Sequence, residues 1–342
     1  MRSSLIPLVA ALLAATGCTA PQALRPPAEP GPVRTVAVPA IAETVPVGTA
    51  NDDAADDPAI WRNARQPAAS LIVATDKKAG LHVYGLDGAS RHFVPAGRVN
   101  NVDLVDLGRR GIIVVASDRN DENAAVLLIY RLDPATARLT EIGRAPGGAG
   151  EAYGVCLARS GSRLSAFSVL KNGRIVQVRI DFSGDAATGR IVRSLRVETQ
   201  PEGCVVDPRA NTLFVGEEAR GIWRFDAREN GPAEAVLVAP VDGRHLVADV
   251  EGLAILPQGR AGGVLIASRQ GDNAYAVFTL PGMKPAGRFR IAGGRIGGAE
   301  ETDGIAIAGG GFGAAYPGGL FVAQDGKNEP NAQNFKLVSW AE

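Results

Sequence analysis

Residues 202–225 read EGCVVDPRANTLFVGEEARGIWRF, three short apolar runs (EGCVV, LFVGEEA and GIWRF) parted by turn residues. Each run has the length and the β-branched or aromatic content of a strand. The breaks carry the Asp-Pro, Asn and Gly that turns require. The opening, a polar residue, then a small or turn residue, then alternating apolar positions, recurs along the chain. It appears as DPAIW from Asp57, NVDLV from Asn101, YGVCL from Tyr153, EGLAI from Glu251 and DGIAI from Asp303. Successive leading residues, Glu202 included, stand 44, 52, 49, 49 and 52 positions apart. A second recurrence follows each first one: LIVATDK to Lys77, IVVASDR to Arg119, SAFSVLK to Lys171, LFVGEEA to Ala219, VLIASRQ to Gln270 and LFVAQDG to Gly326. A third apolar strand comes next, as in GLHVYGL and GRIVQVRI. Three or four strands per module, in six modules, is the pattern of β-propeller blades. The expected fold is therefore all-β, a six-bladed β-propeller with a central channel, over residues 36–342.

That fold sets the leading residues Asp57, Asn101, Tyr153, Glu202, Glu251 and Asp303 in a ring around one mouth of the channel. It also bears on two cysteines. Cys156 lies three residues after its ring position and Cys204 two after, so strict alternation faces them apart and predicts buried free thiols.

With 36 basic and 36 acidic side chains the chain carries no net charge, which excludes nonspecific nucleic-acid binding, a function that needs a basic surface. The 42 glycines fit a chain that turns often. At the N-terminus, Arg2 and the apolar run LIPLVAALLAA fit a signal peptide over residues 1–17, too short for a spanning helix. The following ATGC resembles a lipobox, which makes Cys18 a candidate for lipidation; a plain cleaved signal is the alternative. Residues 18–35, rich in proline, read as an extended tether. An exported chain follows, held in the cell envelope by a lipid anchor or secreted, with no other contact to membrane.

The two recurrences sort charge by module. Lys77, Arg119 and Lys171 occupy equivalent positions in three consecutive modules. The others bring Glu202, Glu217, Glu218, Asp249, Glu251, Asp303 and Asp325, and Asp56 and Asp57 join from the first. Taken singly, each of these residues reads as turn punctuation or a solvated strand end; the upstream Asp52 and Asp53 keep that reading, as a solvated approach loop. Together, the carboxylates would repel one another and need a counter-charge. Oxygen ligands with only three histidines (His82, His92 and His245) and no HExxH pair favour calcium over zinc. The cations suit phosphate groups. Metal beside phosphate-binding cations is the equipment of phosphoester hydrolysis. No RHGxRxP segment is present, and no cysteine has an arginine six positions later. A metal-dependent lactonase or a non-catalytic ligand-binding propeller are the other readings; the lactonase leaves the three cations without a role.

From Glu43 to Trp340 the chain resembles the β-propeller phytases, the calcium-dependent alkaline phytases of bacteria. The motifs that carry the resemblance include DAADDPAIW, DKKAGLHVYGLDG, NNVDL, EAYGV, PEGCVVD, EEARGIWRF, DGRHLVADVEGLAI, ASRQGDNAYAVF, TDGIAI, YPGGLFVAQDGKN and QNFKLVSW. The resemblance implies a monomeric phosphoric monoester hydrolase of the 3-phytase type. It would release phosphate stepwise from phytate, myo-inositol hexakisphosphate, taken as its calcium complex. It further implies attack by a calcium-bridged water without a phosphoenzyme. Calcium would be held by Glu43, Asp56, Asp57, Glu202, Glu217, Asp249, Glu251, Gln270, Asp303, Asp325 and Asn328. Substrate phosphates would be bound by Lys77, Arg119, Tyr153, Lys171 and Glu218, with Tyr153, Lys171, Glu202 and Glu217 at the catalytic centre. Two departures stand out. GGAEETDG puts Gly297 where the family pattern has a carboxylate, so one calcium site is expected to be weak or missing. DKK places Asp76 beside Lys77, which should lower substrate affinity.

Overall fold

The computed structural model describes residues 34–50 and 53–340; the signal, tether and Cys18 readings lie outside these residues. The described chain is nearly all β, with three short 3-10 turns and no α-helix, and it contains no helix long and apolar enough to cross a membrane. The strands form four-stranded antiparallel meanders running inner strand to outer strand in chain order, except that the outer strand of the last comes from the start of the described chain. Pairing assembles them into five sheets. The expected count of six separate sheets is not met, because Gly143 and Arg144 pair in parallel with Ala187 and Thr188 and join two meanders into one eight-stranded sheet.

The first strands of the meanders are Ala55–Trp61, Val99–Asp106, Ala152–Ser160, Pro201–Asp207, Val250–Gln258 and Ile305–Gly309. Each packs against the next and the last against the first, closing a propeller-like ring. The apolar core is correspondingly divided into wedges between successive meanders. Val114 and Leu128 meet Val73 and Leu81 in one; Phe214 and Ile222 meet Leu265 and Phe278 in another. Alternation of apolar and polar residues explains this: a strand buried on both faces contributes one set of side chains to each neighbouring wedge.

Both ends of the described body contribute strands. Ala42–Glu43 pairs antiparallel with Asn334–Ser339 and completes the last meander. Thr35–Pro39 adds a parallel strand to the outer edge of Lys284–Ala292.

Every complete inner strand begins with an irregularity. Pairing skips two residues between Ala55 and Pro58, Val99 and Val102, Ala152 and Val155, Pro201 and Cys204, and Val250 and Leu253. This bulge corrects the ring. Its first position is held by Asp56, Asn100, Tyr153, Glu202, Glu251 and, before the last inner strand, Asp303. The second is held by Asp57, Asn101, Gly154, Gly203, Gly252 and Gly304. Asp57 and Asn101 thus sit one residue beyond the expected ring position. Glycine is favoured at the second position because neighbouring strands touch there backbone to backbone: a Cβ on Gly154 would stand 2.0 Å from the Glu202 carbonyl oxygen, and one on Gly203 2.2 Å from that of Glu251.

The same bulges overturn the expectation of free thiols. Cys156 and Cys204 form a disulfide between neighbouring inner strands, with Cα atoms 5.7 Å apart. Alternation counted straight through an irregular start assigns the wrong face.

Candidate active site

The second recurrence lies beside the first at the same mouth. Six backbone hydrogen bonds fix it: the N–H groups of Lys77, Arg119, Lys171, Glu218, Gln270 and Gly326 donate to the carbonyls of Ala54, Arg98, Glu151, Gln200, Asp249 and Glu300. Glu218, not Glu217, is therefore the equivalent of the three cations.

The predicted residues separate into distinct groups. In the first, one carboxylate oxygen from each of Glu202, Glu218 and Glu251 lies within 4.8 Å of the others. Glu202 and Glu251 are buried, and Glu251 Oε2 has no hydrogen-bond partner. Burial, then the charge of Glu202, pushes the Glu251 carboxyl well above its usual range. Burial pushes Glu218 up to about 7 against a hydrogen bond from Gln200, with Glu202 and Asp249 adding repulsion. Three crowded carboxylates without an internal cation between them form a donor set suited to a metal ion.

In the second group, Lys77 Nζ lies 2.9 Å from Asp303 Oδ2, 2.9 Å from Asp53 Oδ2 and 3.1 Å from Asp56 Oδ2. Gln270 Nε2 donates to Asp303 Oδ1 at 2.5 Å. Burial opposes the charge on Lys77, but Asp56, Asp303 and Asp53 outweigh it and raise its pKa. Burial raises Asp56 well above the usual carboxylate range despite Lys77. Asp53 is thus an ion-pair partner rather than only a residue of a solvated loop, and Asp52 lies outside the described residues.

The third group is cationic. Glu151 Oε1 sits 3.4 Å from Arg119 Nε and 3.3 Å from Lys171 Nζ, so it holds both side chains together. Lys171 Nζ lies 4.7 Å from the Tyr153 ring centre. Arg119 donates to Asn100 Oδ1, and Asn100 Nδ2 donates to Glu202 Oε1 at 3.0 Å. Asn100, fully buried, therefore links the cations to the carboxylates. Burial, then the charges of Glu202, Glu251, Asp56 and Glu218, raises the Tyr153 pKa and keeps its hydroxyl protonated.

The fourth group stands apart. The ammonium of Lys336, fully buried, is paired with Glu43, lies 3.0 Å from Asp325 Oδ2 and donates to Asn328 Oδ1 at 3.1 Å. Gly297 faces this group, since a Cβ there would lie 3.4 Å from Lys336 Nζ.

Two predicted ligands are tied elsewhere. Glu217 Oε1 accepts from Thr199 Oγ1 at 2.6 Å and Oε2 from Trp223 Nε1 at 2.6 Å. Asp57 Oδ2 accepts the Val102 N–H at 3.1 Å. The Asp76 carboxylate accepts from the Thr49 N–H at 3.0 Å and the Lys78 N–H at 3.1 Å. Sequence reasoning missed Asn100 and Glu151. Asn100 was hidden by the one-residue slip, whereas Glu151 had a signal, two residues ahead of the ring tyrosine in EAYGV.

A propeller-like ring with buried carboxylates and clustered cations at one mouth defines a protein that could hold a metal ion beside an anionic ligand. The chain belongs to the Phytase family, whose model matches residues 3–342. It is 39% identical over 316 residues to the 3-phytase of Bacillus subtilis (strain 168), covering 87% of this chain and 82% of that protein. A chain in the solved structure described as "Crystal structure of BBS1N in complex with ARL6DN, soaked with mercury" is similar at 11% identity and a TM-score of 0.48, over 80% of this chain and 75% of that one, a likeness too remote to carry fold or function.

Proposed function

We propose that this protein is a calcium-dependent phytase that releases phosphate from phytate at the channel mouth of a six-bladed β-propeller. The observation that carries the reading is the juxtaposition of the Glu202, Glu218 and Glu251 carboxylates with Arg119 and Lys171, joined through Asn100. Membership of the Phytase family and likeness to a 3-phytase supply the substrate class. The blade count rests on the closed ring of inner strands, with the eight-stranded sheet read as two blades sharing an edge.

Glu202, Glu218 and Glu251 would hold calcium, with Asp249 close by, and Asp56, Asp303 and Gln270 are candidates for further ions around Lys77. Calcium bound there would neutralise charge on the phosphoryl oxygens and acidify an attacking water. Arg119 offers planar, paired donors to a phosphate and Lys171 a point charge, while Glu151 holds both in register. The Tyr153 hydroxyl, kept protonated by its acidic surroundings, donates to a phosphoryl oxygen and cannot repel it. Asn100 fixes the separation between the phosphate-binding arginine and the carboxylates.

The reading is tested by phosphate release from phytate with calcium, with EDTA, and in Lys171→Ala and Glu218→Ala variants. Release requiring calcium and lost in both variants is expected. Release indifferent to EDTA, or a lactone turned over in preference to phytate, would sink it.

We also propose export, with Cys18 lipidated, and action as a monomer. The disulfide supports export, since such bonds persist in oxidising compartments. Exposed large apolar side chains such as Phe93, Ile191 and Val236 are spread over the rims of different sheets rather than gathered in one interface. Labelling of Cys156 and Cys204 by a thiol reagent in envelope-extracted protein, before reduction, would count against the exported reading.

A further inference from the structure

Arg119 and Lys171 already have an anion between them. A single carboxylate oxygen, Glu151 Oε1, lies 3.4 Å from Arg119 Nε and 3.3 Å from Lys171 Nζ. A charge-assisted N–H···O contact closes to about 2.7–2.9 Å. Neither contact is that short, and Arg119 Nε, although buried, has no hydrogen-bond partner. Glu151 therefore balances charge between the two cations without filling their donors.

Both cations have a second hold that does not involve Glu151. Arg119 donates from Nη1 to Asn100 Oδ1, and the Asn100 amide is fixed in turn by donating to Asn101 Oδ1 at 2.8 Å and to Glu202 Oε1 at 3.0 Å. Lys171 Nζ rests over the Tyr153 ring, 4.7 Å from its centre. Arginine and lysine thus keep their places when the carboxylate leaves.

The backbone that carries Glu151 is pinned on both sides. The Gly150 N–H donates to the Asn123 carbonyl at 2.8 Å, and the Glu151 carbonyl accepts the Lys171 N–H at 3.3 Å. Gly150 has φ +131°, and a Cβ there would stand 2.5 Å from Asn172 Nδ2, so the close approach of the two hairpins needs glycine. The carboxylate can leave the cations by turning about its own side-chain bonds, with no movement of the backbone. A side chain still 18% exposed has water to turn into.

Charge gives it a reason to leave. A phosphate ester brings nearly two negative charges to the same pair of cations. With Glu151 in place, negative charge would exceed positive, and carboxylate and phosphate would repel each other.

We propose that Glu151 is an internal competitor for the phosphate site. Its carboxylate occupies Arg119 and Lys171 between turnovers, gives way to a substrate phosphate, and returns to expel the inorganic phosphate that hydrolysis leaves behind. This rests on the phosphate-binding role of the two cations proposed above. When only the open fraction of molecules accepts a ligand, apparent affinity falls by that fraction for substrate and product alike. Such uniform weakening takes nothing from the stabilisation specific to the transition state, and it shortens the stay of product.

The test follows phytate breakdown by the appearance of lower inositol phosphates, at saturating calcium, with inorganic phosphate added as inhibitor. Glu151→Gln keeps the length of the side chain and an acceptor oxygen but removes the charge. It should tighten inhibition by inorganic phosphate roughly three- to ten-fold, as for a site open in about a third to a tenth of molecules. KM should fall by a similar factor and kcat should fall with it, since substrate and product are then held too well. A Glu151 that only positions the cations predicts the opposite sign, with weaker inhibition and a raised KM. Unchanged or weaker inhibition in Glu151→Gln overturns the proposal. Lys171→Ala, measured beside it, should weaken inhibition. If it does not, the phosphate-binding reading itself falls; if it does while Glu151→Gln fails to tighten inhibition, only the competitor role falls. A second measurement needs no variant: in wild-type crystals soaked with sulfate, a sulfate oxygen should replace Glu151 Oε1 beside Arg119 Nε. Sulfate bound next to an unmoved carboxylate, or no sulfate at these cations, overturns the proposal.

Discussion

Two carboxylate groups at the same end of the ring are neutralised in opposite ways. Around Lys336, the acids Glu43 and Asp325 close on an ammonium supplied by the chain itself. Around Glu251, the acids Glu202 and Glu218 close on one another. The first group is complete when the protein folds. The second is a donor set that could hold a metal ion, and a cation bound there would offset the repulsion among its acids. Gly297 sharpens the contrast: where a further carboxylate was expected, the chain has none, and the lysine already satisfies the acids that remain.

The largest expected effect comes from removing the internal cation. Lys336→Met leaves Glu43 and Asp325 with an uncompensated buried charge and should cost about 3–5 kcal/mol in denaturant unfolding with EDTA present. Excess calcium should restore part of that loss, because an outside ion can then take the place of the ammonium. A variant as stable as the wild type would end the comparison.

Next, Glu251→Gln should lower phosphate release from phytate roughly 100-fold at saturating calcium, a loss typical of disturbed metal sites. Wild-type rates would mean that the crowded carboxylates serve structure alone.

The adjacent pair Glu217 and Glu218 divides the two roles within a single dipeptide. Glu217→Ala should cost about 1–3 kcal/mol of stability by stranding Thr199 and Trp223, with turnover kept in the folded fraction. Glu218→Ala should do the reverse. Melting curves and initial rates on both variants decide it.

The smallest effect concerns a carboxylate met by backbone donors. Burial opposes the charge on Asp242, but His245 and the N–H groups of Arg244, Leu246 and His245 lower its pKa below the usual range. A depressed pKa contributes stability above the unfolded value near 4, and that contribution fades as pH falls through the folded value. Partial exposure limits it to ~0.5 kcal/mol. Asp242→Asn should therefore lower stability slightly at neutral pH and flatten the profile below pH ~4, where the wild type loses the same contribution.

Much of this arrangement was legible in the chain. The repeated polar-glycine pairs before Val155, Cys204, Leu253 and Ile305 mark a ring because glycine is needed where adjacent inner strands touch. Asp57 and Asn101 broke the reading because they occupy that second position without being glycine; their side chains instead reach Val102 N–H and the Asn100 amide. Periodicity carries no sign of a bulge, so it gave neither the one-residue slip nor the pairing of Cys156 with Cys204. The choice between Glu217 and Glu218 is likewise a matter of hairpin register, fixed by the Glu218 N–H on Gln200, which composition does not encode.

The clasp between Ala42–Glu43 and Asn334–Ser339 has a temporal consequence. One sheet joins the second and the last strands of the described body, so the ring cannot close until that last strand has been synthesised. Until then the last meander lacks a strand and Glu43 lacks Lys336. For a chain exported as proposed above, this order would keep the body unclosed until its last strand is available.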